Sequence, residues 1–584
     1  MSKDKRKKFS CDFETTTDID DCRVWAYGYM EIGKRENFHI GNNLDEFMEW
    51  AKEVQADLYF HNLKFDGEFI VNWLLKNGYT FDKKGGANTF NVIISNMGQW
   101  YMIDICYGVT GTGKRKQKLH TVIYDSLKKL PFPVKKIAED FKLEIKKGDI
   151  DYKAYRSPNH TITQEEFEYI KNDIEIIAIA LEQQFEQGLK KMTNGSDALA
   201  GFKDIIGKKV FEKHFPVFNH KLNEQVRWAY RGGFTWLNDK YAGKDIETGI
   251  VFDVNSLYPA QMYYRPLPYG APLPFKGEYK QDDLYPLFIQ HIRCEFELKD
   301  GKIPTIQIKR NMLFKANEYL KDSKGEVVDL FVSNIDLELM KEHYHLYDVE
   351  YLGGYKFRQK TGLFNDYIDY WTEIKINNDG AIKLLAKLML NSLYGKFATN
   401  PNVTGKVPFL REDGSCGFAM GEDELKDPIY TPMGVFITSW ARYTTITTAQ
   451  KCYDRIIYCD TDSIHLTGGD IPEAIKDEVH PKELGKWAYE GTFKRARYLR
   501  QKTYIQELYG KTYVNDEGKE VFTECSPLDA TTTKVSVKCA GMPDNIKKDV
   551  NFENFHVGLT LPGKLMPQHV DGGIVLVDTT FTVK

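Results

Sequence analysis

Apolar and polar positions along the chain alternate in short blocks of two distinct periods. Period-two blocks predict strands. One is Phe9-Ser10-Cys11-Asp12-Phe13-Glu14-Thr15, and a second, from Leu58, runs through His61 and Asn62 into a loop or helix start at Phe65 and Asp66. A third is His120–Tyr124, and a fourth, Val251-Phe252-Asp253, is an apolar strand that ends in an acid. Tyr458-Cys459-Asp460-Thr461-Asp462-Ser463 lies between Ile456-Ile457 and Ile464-His465-Leu466, a strand, tight turn and strand with two carboxylates at the tip. Helical signals are equally local. Thr163-Gln164-Glu165-Glu166 forms a capping box that opens a helix to about Phe185. Residues 363–398 read as two helices, the second starting near Gly380. There Lys383, Lys387, Asn391 and Gly395 recur every four residues on one face, and Ala386 and Leu390 on another. Residues 399–430 read as a long projecting hairpin, Thr438 and Arg442 fall on a helix-like run, and the end of the chain is β-rich with a Gly572-Gly573 turn. The fold class is therefore mixed α/β, without repeats or low-complexity linkers.

The 584 residues are material for roughly four domains. With 42% hydrophobic and 28% charged residues, the composition is that of a soluble globular chain, and no apolar run has membrane-spanning length. Lys3, Lys5, Arg6, Lys7 and Lys8 lead into no apolar signal region, and 9 Cys without CxxC pairs point to reduced thiols. A net charge of −4 does not announce a nucleic-acid partner. Lys494, Arg495, Arg497, Arg500 and Lys502, interleaved with Phe493, Tyr498 and Tyr504, would suit phosphates and bases; alone, the run reads as a solvated helix face.

The acids carry the chemistry. Asp460 and Asp462, two apart, are expected to aim at one point, where only a cation relieves their repulsion; oxygen donors suit Mg²⁺. A lone DxD is more often a solvated turn. Asp253 is a natural third carboxylate. Asp12 and Glu14 share a strand face, Asp66 follows, and Tyr169 and Asp173 lie one helical turn apart. Four acids and a Tyr in one domain-sized segment suit two metal ions about 4 Å apart on a scissile phosphate. Tyr230-Arg231-Gly232-Gly233 reads as a turn or a phosphate and base contact at even odds. Gly108–Lys114 imitates a P-loop, but Arg115 stands where Ser or Thr must hold Mg²⁺, so it reads as a flexible basic loop.

Taken in order, these motifs resemble family B DNA polymerases, in particular the protein-primed branch of phi29-like bacteriophages. Three polymerase motifs stand as Asp253-Val254-Asn255-Ser256-Leu257-Tyr258-Pro259, as Lys387 to Asn391, Tyr394 and Gly395, and as Tyr458 to Ser463. Lys502-Thr503-Tyr504 matches the family's KxY element. Exonuclease motifs stand as Asp12-Phe13-Glu14, Asn62 to Asp66 and Tyr169 to Asp173, and Tyr230-Arg231-Gly232-Gly233 matches the motif joining the two activities. One departure is Cys459, where many members carry Gly. The likeness runs from about residue 9 to the C-terminus; the basic loop at 108–118 and the polar stretch at 510–530 look like places where relatives vary in length.

The resemblance implies a ribonuclease-H-like 3′–5′ exonuclease domain (1–193) and a right-hand polymerase. The latter comprises palm (194–264 and 431–539), fingers (363–398) and thumb (540–584), with two insertions (265–362 and 399–430) of the protein-primed branch. It implies DNA synthesis with proofreading, processive and strand-displacing, and two Mg²⁺ or Mn²⁺ ions per active site. Asp253, Val254, Asp460 and Asp462 would serve the polymerase metals, Asp462 more firmly than Asp460. Asp12, Glu14, Asp66 and Asp173 would hold the exonuclease metals, with Tyr169 orienting water. Val254, Tyr258, Lys375, Lys383, Lys387, Asn391 and Tyr394 would bind the nucleotide. Contacts to DNA would come from His61, Asn62, Phe65, Phe69, Ser126, Leu127, Tyr230, Arg231, Gly232, Gly233, Thr438, Arg442, Lys502 and Tyr504. The implied partners are template and primer DNA, deoxynucleoside triphosphates and a terminal protein primer, with no membrane. The implied setting is a monomer in the cytoplasm of an infected bacterium. A stand-alone nuclease, a non-catalytic replication scaffold and an RNA-templated polymerase are the alternatives.

Overall fold

The computed structural model of the chain describes residues 6–111, 117–309, 311–514 and 520–584. Lys3, Lys5, residues 112–116 of the basic loop and residues 515–519 of the polar stretch lie outside the described residues.

An eight-stranded sheet comes first, in the order Lys34–Gly41, Val24–Glu31, Lys8–Thr15, Asp57–Phe60, Gln117–Asp125, Trp100–Thr110, Thr89–Ile94, Thr80–Phe81. Its three middle strands, Lys8–Thr15, Asp57–Phe60 and Gln117–Asp125, are mutually parallel. Their carboxyl ends therefore share one edge, the usual location of a ligand site in an open sheet with parallel strands. Period-two alternation sorts the first strand: Phe9, Cys11 and Phe13 enter the apolar core, and Asp12 and Glu14 take the other face. The helix Gln164–Glu186 covers that face and starts with the expected capping box, Thr163 and Glu166 bonding reciprocally.

The second large sheet is antiparallel and runs Glu520–Glu524, Thr503–Val514, Trp487–Arg500, Gly249–Val254, Ser463–Thr467, Ile456–Asp460, Thr235–Leu237. The acid-tipped strand Gly249–Val254 sits between Trp487–Arg500 and Ser463–Thr467. The run expected as a solvated helix face is thus a strand. Its period is two: Ala496 and Tyr498 are buried, while Arg495 and Arg497 project outward onto Asp245. The helices Asn365–Asn377 and Gly380–Phe397 pack on each other and on the helices Asn194–Ile206 and Leu257–Tyr264, the second beginning where the sequence places it. Lys383, Lys387, Asn391 and Gly395 are all exposed, and Ala386 and Leu390 are buried.

A four-stranded sheet, Leu267–Phe275, Tyr344–Lys360, Leu287–Leu298 and Val328–Ser333, follows the acid-tipped strand in the chain. Two hairpins complete the chain, Asn402–Leu410 with Cys416–Leu425 and Thr560–Val570 with Gly573–Thr582. Both reach back to the first sheet. Ser95 bridges Gly405, and Asn72 Nδ2 donates to Gly414 O at 2.8 Å. Lys76 pairs with Asp571, while Val570, Ile574 and Val575 join the core that holds Leu63 and Phe69. Arg497 Nη1 donates to Phe552 O and Phe555 O at 2.8 and 3.0 Å, tying the C-terminal segment to the second sheet. Contacts thus run from the first hairpin through the first sheet and the C-terminal segment to the second sheet, and the chain itself closes the circuit.

Candidate active sites

The first site lies at the end of the strand Gly249–Val254. Asp253 pairs with Ser463 across the ladder, and Val254 N–H donates to Asp462 O at 2.8 Å, so Asp253 and Asp462 come together from segments far apart in sequence. Burial, then the Asp462 carboxylate, pushes Asp253 up to about 7; Glu490 adds to this and Lys387 opposes it. Burial likewise raises Asp462. Asp460 is different. The strand ends at Asp460, and Thr461 turns through φ +63°. The two acids therefore do not share a strand face, as their spacing had suggested. Asp460 instead receives Lys502 Nζ at 2.7 and 3.0 Å, the Tyr458 hydroxyl at 3.1 Å and the Thr235 hydroxyl at 3.2 Å. Gly233 explains part of this turn. A Cβ there would lie 2.6 Å from the Thr461 side chain, so only glycine lets the Tyr230–Gly233 segment close on it.

Cations and rings gather over these acids. Lys375 is lowered by burial and then by Lys387 and Lys383, which sets the three ammonium groups near one another. Tyr258 and Tyr394 stack at 3.8 Å and 14°. The Val254 side chain belongs to the core, so only its main chain can serve a ligand.

The second site opens at the carboxyl edge of the first sheet, in a cavity of about 1130 Å³. Asp12, Glu14, Asp66, Tyr169 and Asp173 line it together with His61, Asn62 and Phe65. Burial raises Asp12, and Asp173 raises it further; Glu14 and Asp66 are raised by burial and then by Asp12. Sequence reasoning missed Lys147, whose Nζ meets Asp173 Oδ2 at 2.5 Å and the Tyr169 hydroxyl at 3.4 Å. A single Lys in a loop has no periodic signature. It also missed Asp125, whose Oδ1 accepts N–H from Asn62, Leu63 and Leu127 at 3.0–3.3 Å and so fixes both loops at the cavity rim; an Asp at a strand end before a helical turn is a capping signal. The C-terminal hairpin contributes Leu565, Val575, Leu576, Val577 and Asp578 to the cavity wall.

Five residues expected to touch DNA have buried side chains. Ser126 is fully buried, its hydroxyl donating to Phe60 O and lying 3.0 Å from His61 Nδ1. Phe69 is fully buried beneath Phe65 and Gly573. Thr438 is buried and bonds back to Gly434 O within its own helix. Arg442 is 1% exposed and forks onto Asp336 at 2.7 and 2.9 Å, reaching also Arg231 O and Gly232 O at 2.9 Å each. Arg231, also buried, donates to Phe331 O at 2.8 Å. The four polar ones are held by main-chain or acid partners, as buried polar groups require, and Phe69 by apolar packing. Asn62 and Gly232 are exposed, and His61, Phe65, Leu127, Tyr230, Gly233 and Tyr504 are partly exposed.

Among the described residues no group of three or more His, Cys, Asp or Glu side chains is arranged to hold a metal ion unaided. The donor chemistry nonetheless fits hard divalent cations. Both sites gather carboxylates that repel one another, and the buried Asp173 Oδ1 has no protein partner. Mg²⁺ is commonly held by one or two carboxylates with substrate phosphates completing its shell, which accounts for an incomplete cage.

Comparison with known proteins gives matches over the whole chain. Residues 48–481 match the family described as DNA polymerase type B, organellar and viral. The DNA polymerase of Bacillus phage Nf is 67% identical over 579 residues, 99% of this chain and 100% of that one. The solved structure of Phi29 DNA polymerase with primer-template DNA and incoming nucleotide substrates superposes with a TM-score of 0.94 at 66% identity, covering 99% of this chain and 100% of the other. Phi29 DNA polymerase with single-stranded DNA gives 0.93 at 65% identity, with the same coverage.

Proposed function

The chain belongs to the type B DNA polymerases of organelles and viruses, and on that footing we propose that it copies DNA at the palm site and proofreads 3′ ends at the first-sheet site. The observation that carries this reading is the pair of separate carboxylate clusters, each raised by burial and mutual repulsion. Two divalent ions per site, Mg²⁺ or Mn²⁺, would supply activation of the attacking hydroxyl and neutralisation of charge at the scissile phosphate. Asp253 and Asp462 hold them in the palm, and Asp12, Glu14, Asp66 and Asp173 in the cavity. Lys375 and Lys387, assisted by Lys383, bind the triphosphate, and Asn391 extends the same helix face. Tyr258, braced on Tyr394, closes the pocket against a ribose 2′-hydroxyl. Lys502 and Tyr504 hold the primer end, and Lys502 also keeps Asp460 in place.

In the second site Tyr169 orients the attacking water while Lys147 steadies Asp173. Asn62, Phe65 and Leu127 receive the frayed strand; stacking on an aromatic ring contributes about 1–3 kcal/mol per base. Ser126 acts by fixing His61. The division into exonuclease, palm, fingers, thumb and two insertions, the use of a terminal protein primer and monomeric action in the host cytoplasm belong to the same proposal. Among the described residues no helix is long and apolar enough to cross a membrane. The closed circuit through both hairpins supports processive synthesis with strand displacement.

Assaying both activities separates the sites. Asp462→Asn should abolish primer extension and leave single-strand degradation intact; Asp12→Ala with Asp66→Ala should do the reverse. Extension by Asp462→Asn would remove Asp462 from catalysis, and degradation by the double variant would refute the second site.

A further inference from the structure

Beneath the turn that bears Asp460 lies a buried polar cluster that contains none of the carboxylates of either site. His465 is 3% exposed and Tyr498 fully buried. Gln506 Nε2 donates to the Tyr498 hydroxyl at 2.9 Å, and that hydroxyl lies 2.8 Å from His465 Nδ1. Because the Tyr498 oxygen accepts from Gln506, its proton goes to His465, whose Nδ1 also lies 3.4 Å from Gln506 Nε2. His465 is therefore the neutral tautomer protonated on Nε2, in keeping with burial that drives it down to about 4.

This cluster is joined to the groups that hold Asp460. Tyr458 faces His465 across one ladder and Tyr498 faces Tyr504 across another. The four rings pack edge and face at 5.0–5.7 Å, the Tyr498 and Tyr504 rings stacked at 5.0 Å and 27°. The Tyr458 hydroxyl both donates to Asp460 and accepts the Lys502 N–H at 2.9 Å. Lys502 has φ +57°, a conformation unfavourable to a lysine, and its carbonyl accepts Ala540 N–H at 3.0 Å. Its unusual backbone is thus pinned from both sides, once by a tyrosine whose ring rests on the cluster.

We propose that His465, Tyr498 and Gln506 are positioning residues that set where Lys502 and Tyr504 hold the primer end, and thereby bias that end toward extension over degradation. The proposal rests on the primer-holding role given above to Lys502 and Tyr504. Removing the Tyr498 hydroxyl leaves the rings in place but frees the Tyr498–Tyr504 pair to shift. The catalytic carboxylates are untouched, so the effect falls on occupancy of the palm site and leaves the rate of the bound complex alone.

The readout is the nucleotide concentration at which a primed template passes from net shortening to net extension. Tyr498→Phe and His465→Phe should each raise it threefold or more, with degradation of free single strands and single-turnover incorporation at saturating DNA unchanged. His465→Asn, which offers an acceptor oxygen near the Nδ1 position, should recover part of the loss. Gln506→Leu breaks the same bond from the edge and serves if Tyr498→Phe does not fold. Lys502→Ala is the control. If it moves the balance while the cluster variants do not, the proposal is overturned and the primer-holding role stands. If Lys502→Ala leaves the balance unmoved, the role and the proposal fall together. A drop in melting temperature without a shift in balance would assign the cluster to stability alone.

Discussion

Arg442 offers the sharpest test of how the helix Thr431–Lys451 is anchored in the fold. Its guanidinium makes three hydrogen bonds to Asp336 at 2.7–3.1 Å, one each to Arg231 O and Gly232 O, and one to the Ser439 hydroxyl. Arg442→Ala would leave the Asp336 carboxylate buried without its main counter-charge and two carbonyls without this donor. Breaking one side of a buried pair costs about 3–5 kcal/mol. Arg231 lies near enough to offset part of that, so the lower end, about 3 kcal/mol, is expected. At about 2–4 °C per kcal/mol for a domain of this size, calorimetry should show a fall of roughly 6–12 °C. The pH dependence fixes the cause. Burial alone would raise Asp336, but Arg442 overrides it and holds the carboxyl below the ordinary value. The wild-type pair therefore contributes above the unfolded pKa of about 4 and is lost only as pH falls through the depressed folded value. In the variant burial wins and the folded value rises, so its penalty is full at pH 7.5 and shrinks as acid neutralises Asp336. The melting gap between the two proteins should thus narrow from pH 7.5 to pH 5, and Asp336→Asn added to Arg442→Ala should be milder than Arg442→Ala alone. A gap below 1 °C, or one that does not change with pH, would refute this account.

Gly233→Ala should cut primer extension strongly by displacing Thr461, whereas Gly232→Ala, where a Cβ meets open space, should extend near normally; equal behaviour would dismiss the close approach. Lys147→Ala should slow single-strand degradation roughly 10–100-fold, the range for groups that orient a ligand-bearing carboxylate, with extension unchanged. Chelation of divalent ions should stop both activities, and Mg²⁺ should restore both; activity in excess chelator would rule out the metal reading.

Much of this was legible because the informative segments are local. The capping box at Thr163, the exposed Lys383–Gly395 stripe and the Gly572-Gly573 turn each depend on neighbours within a few residues, and the structure contains them. The shared face of Asp12 and Glu14 held because both lie within one strand. The same argument failed for Asp460 and Asp462, since a left-handed Thr461 ends the strand between them, and the room that Gly233 leaves for its side chain comes from far upstream and has no trace at the turn itself. The burial of Arg442 and Ser126 was not legible for a related reason. A polar residue looks like a ligand contact until its partners are known, and Asp336 and His61 come from distant segments. Lys147 was invisible because its importance is purely tertiary.

The C-terminal hairpin carries a consequence for synthesis of the chain itself. Val570, Ile574 and Val575 complete a core begun by Phe9, Leu63 and Phe69. A ribosome adding about 5–20 residues per second needs about 25–100 s to get from the helix Leu63–Lys76 to that hairpin. For that interval the first domain waits with the seat of Gly573, against Phe69, open to water. Until the hairpin arrives, that apolar seat is a surface open to aggregation and proteolysis, so a chain cut short before Val570 is expected to expose core at its opposite end.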